Sequence, residues 1–294
     1  MPDLSQEEQT CLPTSTANLI VWFGTHGYPN LIAKGDSKED NYIHTVHGII
    51  TATDARYDFG TRMEAISYGI QKYIHDAGYT CDIEYRGLDW SKVRRDPLVV
   101  EDVNGEKYKP YVKTPSTFSQ EWLQENNDPN KGFILLLAYC HFSRGANTFT
   151  PAFNAGHAVT LVNAEPNMIL IHDPAHYNDE PGRKILTPEV LTGGVFMLPG
   201  YDAPTSGLIV LDGSLLEAPH GANVLLTGAV CITMHPNGSG DTPAAPIPSA
   251  PGQAIIASNN GGSGNPSSSP ASPAGPGSAD SSWAMWLFDM FFKK

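Results

Sequence analysis

The sequence predicts an α+β fold, a helical lobe followed by a lobe built on an antiparallel sheet. Three observations predict it. Apolar runs bounded by helix signals fill the first part of the chain, at Leu12–Phe23 and Met63–Ala77. Beyond Gly132 the apolar residues come in short, β-branched or continuous runs instead. Two of those runs, Gly156–Asn163 and Asn167–Pro174, are separated only by Ala164-Glu165-Pro166, too short for a crossover and suited to an antiparallel pair.

The first helix starts at Cys11. Pro13 suits a first helical turn, where its missing N–H costs nothing. Gly24 suits the position just past the end. The residues between are apolar all round, so the helix is expected to be buried. A cysteine at its start points a thiol at unpaired N–H groups and at the positive end of the macrodipole. Both favour the thiolate, which is the nucleophile. The same N–H groups can form half of an oxyanion hole. Cys81, Cys140 and Cys231 lie in apolar or strand-like stretches and are read as core.

Thr61-Arg62-Met63-Glu64 is a capping box. Met63, Ile66, Ile70, Tyr73, Ile74 and Ala77 follow at helical spacing until Gly78, giving a surface helix with one apolar stripe. Tyr79–Tyr85 alternates as a strand, and Leu98–Val112, broken at Asn104-Gly105, reads as a hairpin with a type I′ turn. Thr117–Gln120 is a second capping box, opening a short helix through Asn126. Gly132–Cys140 fits a central strand, and Gly207–Leu211 and Asn223–Thr233 add others. Ser143–Ala155 is long, polar and carries two phenylalanines, Phe149 and Phe153; it reads equally as a substrate-contacting loop and as a plain connector.

Gly156-His157-Ala158-Val159 opens one strand, and His172-Asp173-Pro174 ends the next. With a three-residue loop His157 faces Asp173, with Cβ atoms roughly 5 Å apart. A two-residue loop puts them on opposite faces. A Cys11, His157, Asp173 triad therefore requires an odd loop or a bulge. The carboxylate would then hold the imidazole in one tautomer.

These residues resemble the papain-like cysteine peptidases, above all the bacterial branch related to the peptidases that cleave double-glycine leaders from bacteriocin precursors. The stretches that carry the likeness are Cys11–Phe23 (Cys-x-Pro-Thr-Ser-x-Ala-Asn), Gly156–Val162 and Ile171–Pro174. The resemblance implies a papain-like fold with the site in the cleft between the lobes. It implies Cys11 as nucleophile, His157 as general base and then acid, and Asp173 as orienter. It also implies a glutamine shortly before the cysteine that donates to the oxyanion. The usual gap falls on Ser5; of the neighbours Gln6 and Gln9, Gln6 is preferred, because Gln9 is too near the nucleophile to reach back.

Hydrolysis of a peptide or protein substrate, with no cofactor or metal, is the function expected. Amide transfer at the same site stays open, as does a non-enzymatic binding module. A metal-dependent hydrolase using His172, Asp173 and His176, or His44 and His47, fits less well: Pro174 breaks any helix that would align His172 with His176.

A net charge of −13 and a pI near 5.1 argue against a nucleic-acid or anionic-membrane partner. The N-terminus carries no basic, apolar signal peptide, which fits a cytoplasmic protein or a trimmed secreted one. Residues 1–235 are expected to form the domain and to act as a monomer. Residues 236–282, rich in Gly, Pro and Ser, read as a flexible linker. Residues 283–294, with about ten apolar positions, are too short to span a bilayer but suit a membrane interface or protein docking.

Overall fold

The computed structural model describes residues 4, 6, 10–55, 61, 63–88, 100–101, 107–108, 112–113, 119–175, 182–198, 201–212, 216, 218 and 222–236. The expected linker and apolar C-terminal segment lie outside them.

The fold is mixed α+β. Three helices come first: α1 (Cys11–Thr25), α2 (Lys38–Ala52) and α3 (Met63–Asp76). A short α4 (Gln120–Leu123) runs on into a 3-10 turn, Gln124–Asn127. The main strands are β1 (Cys81–Gly87), β5 (Lys131–Ser143), β6 (Thr148–Glu165), β7 (Met168–His172) and β13 (Asn223–Met234). Shorter ones are β4 (Val112–Lys113), β8 (Arg183–Leu186), β9 (Pro188–Val190), β10 (Val195–Leu198), β11 (Tyr201–Pro204) and β12 (Ile209–Leu211). These strands form one sheet with the path β11-β10-β6-β5-β13-β1-β4. β7 and β8 branch from β6, and β12 and β9 branch from β13. Most pairings are antiparallel; β1–β4 and β6–β10 are parallel. β2 (Val100–Glu101) and β3 (Lys107–Tyr108) pair as the ladder of the expected hairpin; its turn lies outside the described residues.

Both faces of the central strands are covered, which explains why Gly132–Cys140 is continuously apolar. Ile134 and Leu136 of β5 join Leu12, Leu19, Ile20 and Phe23 of α1 and Ile70 and Ile74 of α3 on one face. Phe133, Leu135 and Leu137 face the other way, against Trp122, Leu123, Ile169 and Ile209. The helices α1 and α3 thus share a core with one face of the sheet, and the other face builds a second.

Several boundaries differ from expectation. The helix α1 runs through Gly24 to Thr25, and the left-handed glycine is Gly27, at φ +117°. Gly24 serves packing instead: a Cβ there would lie 2.4 Å from Ile32 Cγ1. The α4 cap is Ser119, whose hydroxyl accepts from the Trp122 N–H, rather than Thr117. The stretch Ser143–Ala155 is mostly strand, because Ser143 pairs with Thr148 and extends the β5–β6 hairpin. Only residues 144–147 form the turn, so a long loop before His157 is not what the chain builds. The helix α2 had no counterpart in the sequence reading; Ser37 caps it by accepting from the Asp40 N–H.

Candidate active site

Cys11, His157 and Asp173 come together. The His157 Nε2 lies 2.7 Å from Asp173 Oδ1. The imidazole also lies within interaction reach of the Cys11 thiol and lowers its pKa. Asp173 is 1% exposed and His157 7%, while Cys11 is half-buried. The acid is therefore sheltered from water, and of the three residues Cys11 is the least enclosed.

The route to this geometry differs from the one expected. The β6–β7 turn has two residues, Pro166 and Asn167, since Glu165 pairs with Met168. That alone would put the two side chains on opposite faces. A β-bulge at Val162 restores the parity: Leu161 pairs with Ile171 and Asn163 with Leu170. Thr160 then faces His172, so Asp173 lies level with Val159 and diagonal to His157 rather than opposite it. The segment from α4 holds this register. The Gln120 Nε2 donates to the carbonyls of Glu165 and Pro166, both at 2.8 Å. The Asn126 Nδ2 donates to the bulge carbonyl of Val162 at 3.1 Å.

α1 docks on the edge of β6 where the β7 ladder has ended. Ala158 offers both its peptide groups there. Its N–H is directed at the Cys11 sulfur, and its carbonyl accepts from Ser15 Oγ at 2.8 Å. Cys11 and Ser15 are one helical turn apart, so one helix face satisfies one strand residue. The Thr160 hydroxyl returns a bond to the Ser15 carbonyl at 2.7 Å. Ser15 and Thr160 are both fully buried. Ser15→Ala is expected to cost about 1–3 kcal/mol, because the Ala158 carbonyl loses a buried donor. Urea unfolding of the variant measures this.

The electrostatics follow from these contacts. Burial pushes the Cys11 thiol up, but the hydrogen bond and positive charge of His157, with the N–H groups of Ala158 and Leu12, outweigh it; the thiol lies below its ordinary range. Burial opposes the charged form of His157 as well, yet the hydrogen bonds to Asp173 and Cys11 carry its pKa up to about 9. Asp173 is penalised by burial and held ionised by His157 and Lys184. Burial pushes the thiols of Cys81, Cys140 and Cys231 up to about 12 each, and at Cys231 it outweighs Thr233 and Lys131, which pull the other way. Of the four thiols only that of Cys11 is lowered, and the three read as core are buried.

Gln6 is drawn toward the same place. Its N–H donates to the Pro174 carbonyl at 2.9 Å, directly after Asp173. Its side-chain Oε1 is buried without a hydrogen-bond partner among the described residues. Gln9 and His176 lie outside those residues. His44 and His47 sit on α2, and His172 adjoins Asp173. Among the described residues no group of three His, Cys, Asp or Glu side chains is disposed to hold a metal ion.

No family model, curated protein or solved structure matches the chain.

Two features of the site were not read from the sequence. One is Ser15, which looks like an ordinary helix residue until its partner strand is known. The other is Lys184 on β8, whose Nζ lies 2.7 Å from Asp173 Oδ2. The available signal was Pro181-Gly182 followed by a four-residue strand with a lysine at an inward position.

Proposed function

We propose that this chain is a cysteine peptidase with a papain-like fold, its site set between the helices and the sheet, hydrolysing peptide bonds without a cofactor. The observation that carries the reading is the His157 ring, bridged between the Cys11 sulfur and the Asp173 carboxylate. A thiolate, a base that becomes an acid and a buried orienting carboxylate are the parts of acyl transfer.

Cys11 attacks the scissile carbonyl as the thiolate. The carbonyl oxygen takes up the negative charge, and the N–H of Cys11 with the amide of Gln6 stabilises it. The His157 imidazolium gives its proton to the leaving amine, and the C–N bond breaks. A water then attacks the thioester, with neutral His157 taking its proton, and the acid product leaves as the thiol anion re-forms. Asp173 stays ionised throughout and keeps Nε2 turned away from the sulfur, leaving Nδ1 for it. The motifs at Cys11–Phe23, Gly156–Val162 and Ile171–Pro174 support the same assignment through their likeness to the bacterial branch that processes double-glycine leaders.

The pH profile follows in sign. The imidazolium is charged below its pKa of about 9 and neutral above it, so kcat/KM is expected to fall as pH rises through about 9. On the acid side it falls as the thiolate is protonated, below the ordinary thiol range. Peptide-library cleavage followed by mass spectrometry tests the activity itself. Defined cuts by the wild type that vanish in Cys11→Ala support it; equal cutting by both proteins overturns it.

A further inference from the structure

We propose that Lys184 is a positioning residue of this site, fixing the Asp173 carboxylate against His157 and sharing its charge. The inference rests on the peptidase reading above for its catalytic meaning, but the contact stands apart from it. Asp173 accepts from three donors. On Oδ1 these are His157 Nε2 at 2.7 Å and the N–H of Ala175 at 2.9 Å. On Oδ2 it is Lys184 Nζ, at 2.7 Å. The Asp173 N–H is itself held by the Gly182 carbonyl at 2.7 Å, so backbone and side chain are both pinned to the start of β8.

The pattern of β8 is the second observation. Lys184 pairs with Ile171 and turns its side chain inward, where it is 14% exposed. Its neighbour Ile185 turns outward and is 61% exposed. Leu186, two residues on and on the same face as Lys184, is fully buried, so the lysine stands on the face that β8 turns to the core. Burying an ammonium is costly unless it is paired, and replacing the pair with apolar groups is often neutral or stabilising. Leu186 fixes which face of β8 is inward, and the ammonium carried on that face is paired with Asp173 instead of being buried alone.

Two effects follow. Held at both oxygens, the carboxylate cannot swing away when His157 changes charge. The ammonium also draws part of the carboxylate's field to itself, so the imidazolium is not bound so tightly that it withholds its proton from a leaving group. Among the described residues the titratable groups facing the His157–Asp173 pair from the packed elements are Cys11 of α1, Tyr139 of β5, whose ring centroid is 6.4 Å from that of His157, and Lys184.

The test is the pH dependence of Cys11 alkylation by iodoacetamide in wild type, Lys184→Met and Lys184→Arg, which needs no substrate. In Lys184→Met the window of the thiolate–imidazolium pair is expected to move up by about one pH unit. Lys184→Arg should stay near wild type. With a cleaved peptide in hand, kcat of Lys184→Met should fall about 10- to 100-fold with KM little changed. Should Lys184→Met fail to fold by circular dichroism, Lys184→Gln, neutral but polar, is read in its place. A neutral variant whose alkylation profile overlays wild type, or moves acid, overturns the proposal. A shifted profile in a protein that cleaves no peptide would instead keep Lys184 in this role and remove the peptidase reading.

Discussion

Replacing Cys11 with alanine is expected to lower kcat/KM by roughly ten-thousand-fold or more, because the nucleophile is removed and the remaining groups only bind and polarise the substrate. The fold should survive the change at a modest cost. Cys11 is half-buried at the first position of α1, and no disulfide depends on it. The docking of α1 is carried by Leu12, Leu19, Ile20 and Phe23 and by the reciprocal bonds of Ser15 and Thr160, none of which involves the sulfur. The Ala158 N–H loses its acceptor, so a loss of about 1–3 kcal/mol is expected, with the fold retained. Peptide turnover and urea unfolding on the same preparation measure both. Near-normal turnover, or a large loss of stability, would show that Cys11 has a different job.

Asp173→Asn should combine two losses. The side chain keeps its shape, but the carboxylate that faces Nε2 of His157 becomes neutral. The imidazolium loses its partner and the wrong tautomer becomes available, for an expected fall in kcat of about 10²- to 10⁴-fold. It should also lose more stability than the cysteine variant. Lys184 would keep a charge in a site where Asp173 is 1% exposed, with nothing to neutralise it. Breaking one half of a buried pair costs about 3–5 kcal/mol. The sign with pH follows from the depressed pKa of Asp173: its contribution is complete above the ordinary carboxylate value of 3.8 and is lost as pH falls below it. The raised pKa of His157 adds a contribution that is complete below its ordinary value of 6.5 and is lost as pH rises through about 9, so the gap in stability between wild type and variant should be widest between about pH 3.8 and 6.5 and close in stronger acid. Denaturant titrations at several pH values read this gap, and a pH-independent difference would count against a buried, ionised Asp173.

Much of the site was legible because its signals are local. Pro13 and the all-round apolar run mark the buried helix, and they place Cys11 at its tip whatever the rest of the chain does. The strands bearing His157 and Asp173 were legible for the same reason. Their relative register was not, because it depends on two compensating features. The two-residue turn flips the faces and the Val162 bulge flips them back, and a bulge leaves no mark in a run such as Leu161-Val162-Asn163. What stabilises that bulge is Asn126, some 36 residues earlier in the chain. The helix α2 escaped notice because few of its residues are fully buried, Thr45 and Ile49, so its apolar period is faint. The strands β8 to β11 span three or four residues each, too few to show alternation. Lys184 fell within one of them. Its role is a tertiary fact, visible only when β8 lies beside β7.

The most direct measurement is intact-mass analysis of the protein after brief exposure, at mildly acidic pH, to a peptidyl epoxide that alkylates thiolates. A single adduct, mapped to Cys11 and lost in His157→Ala, is the predicted result. Adducts spread over Cys81, Cys140 and Cys231, or equal labelling of Cys11 with and without His157, would contradict the claim that the imidazole makes this sulfur a nucleophile.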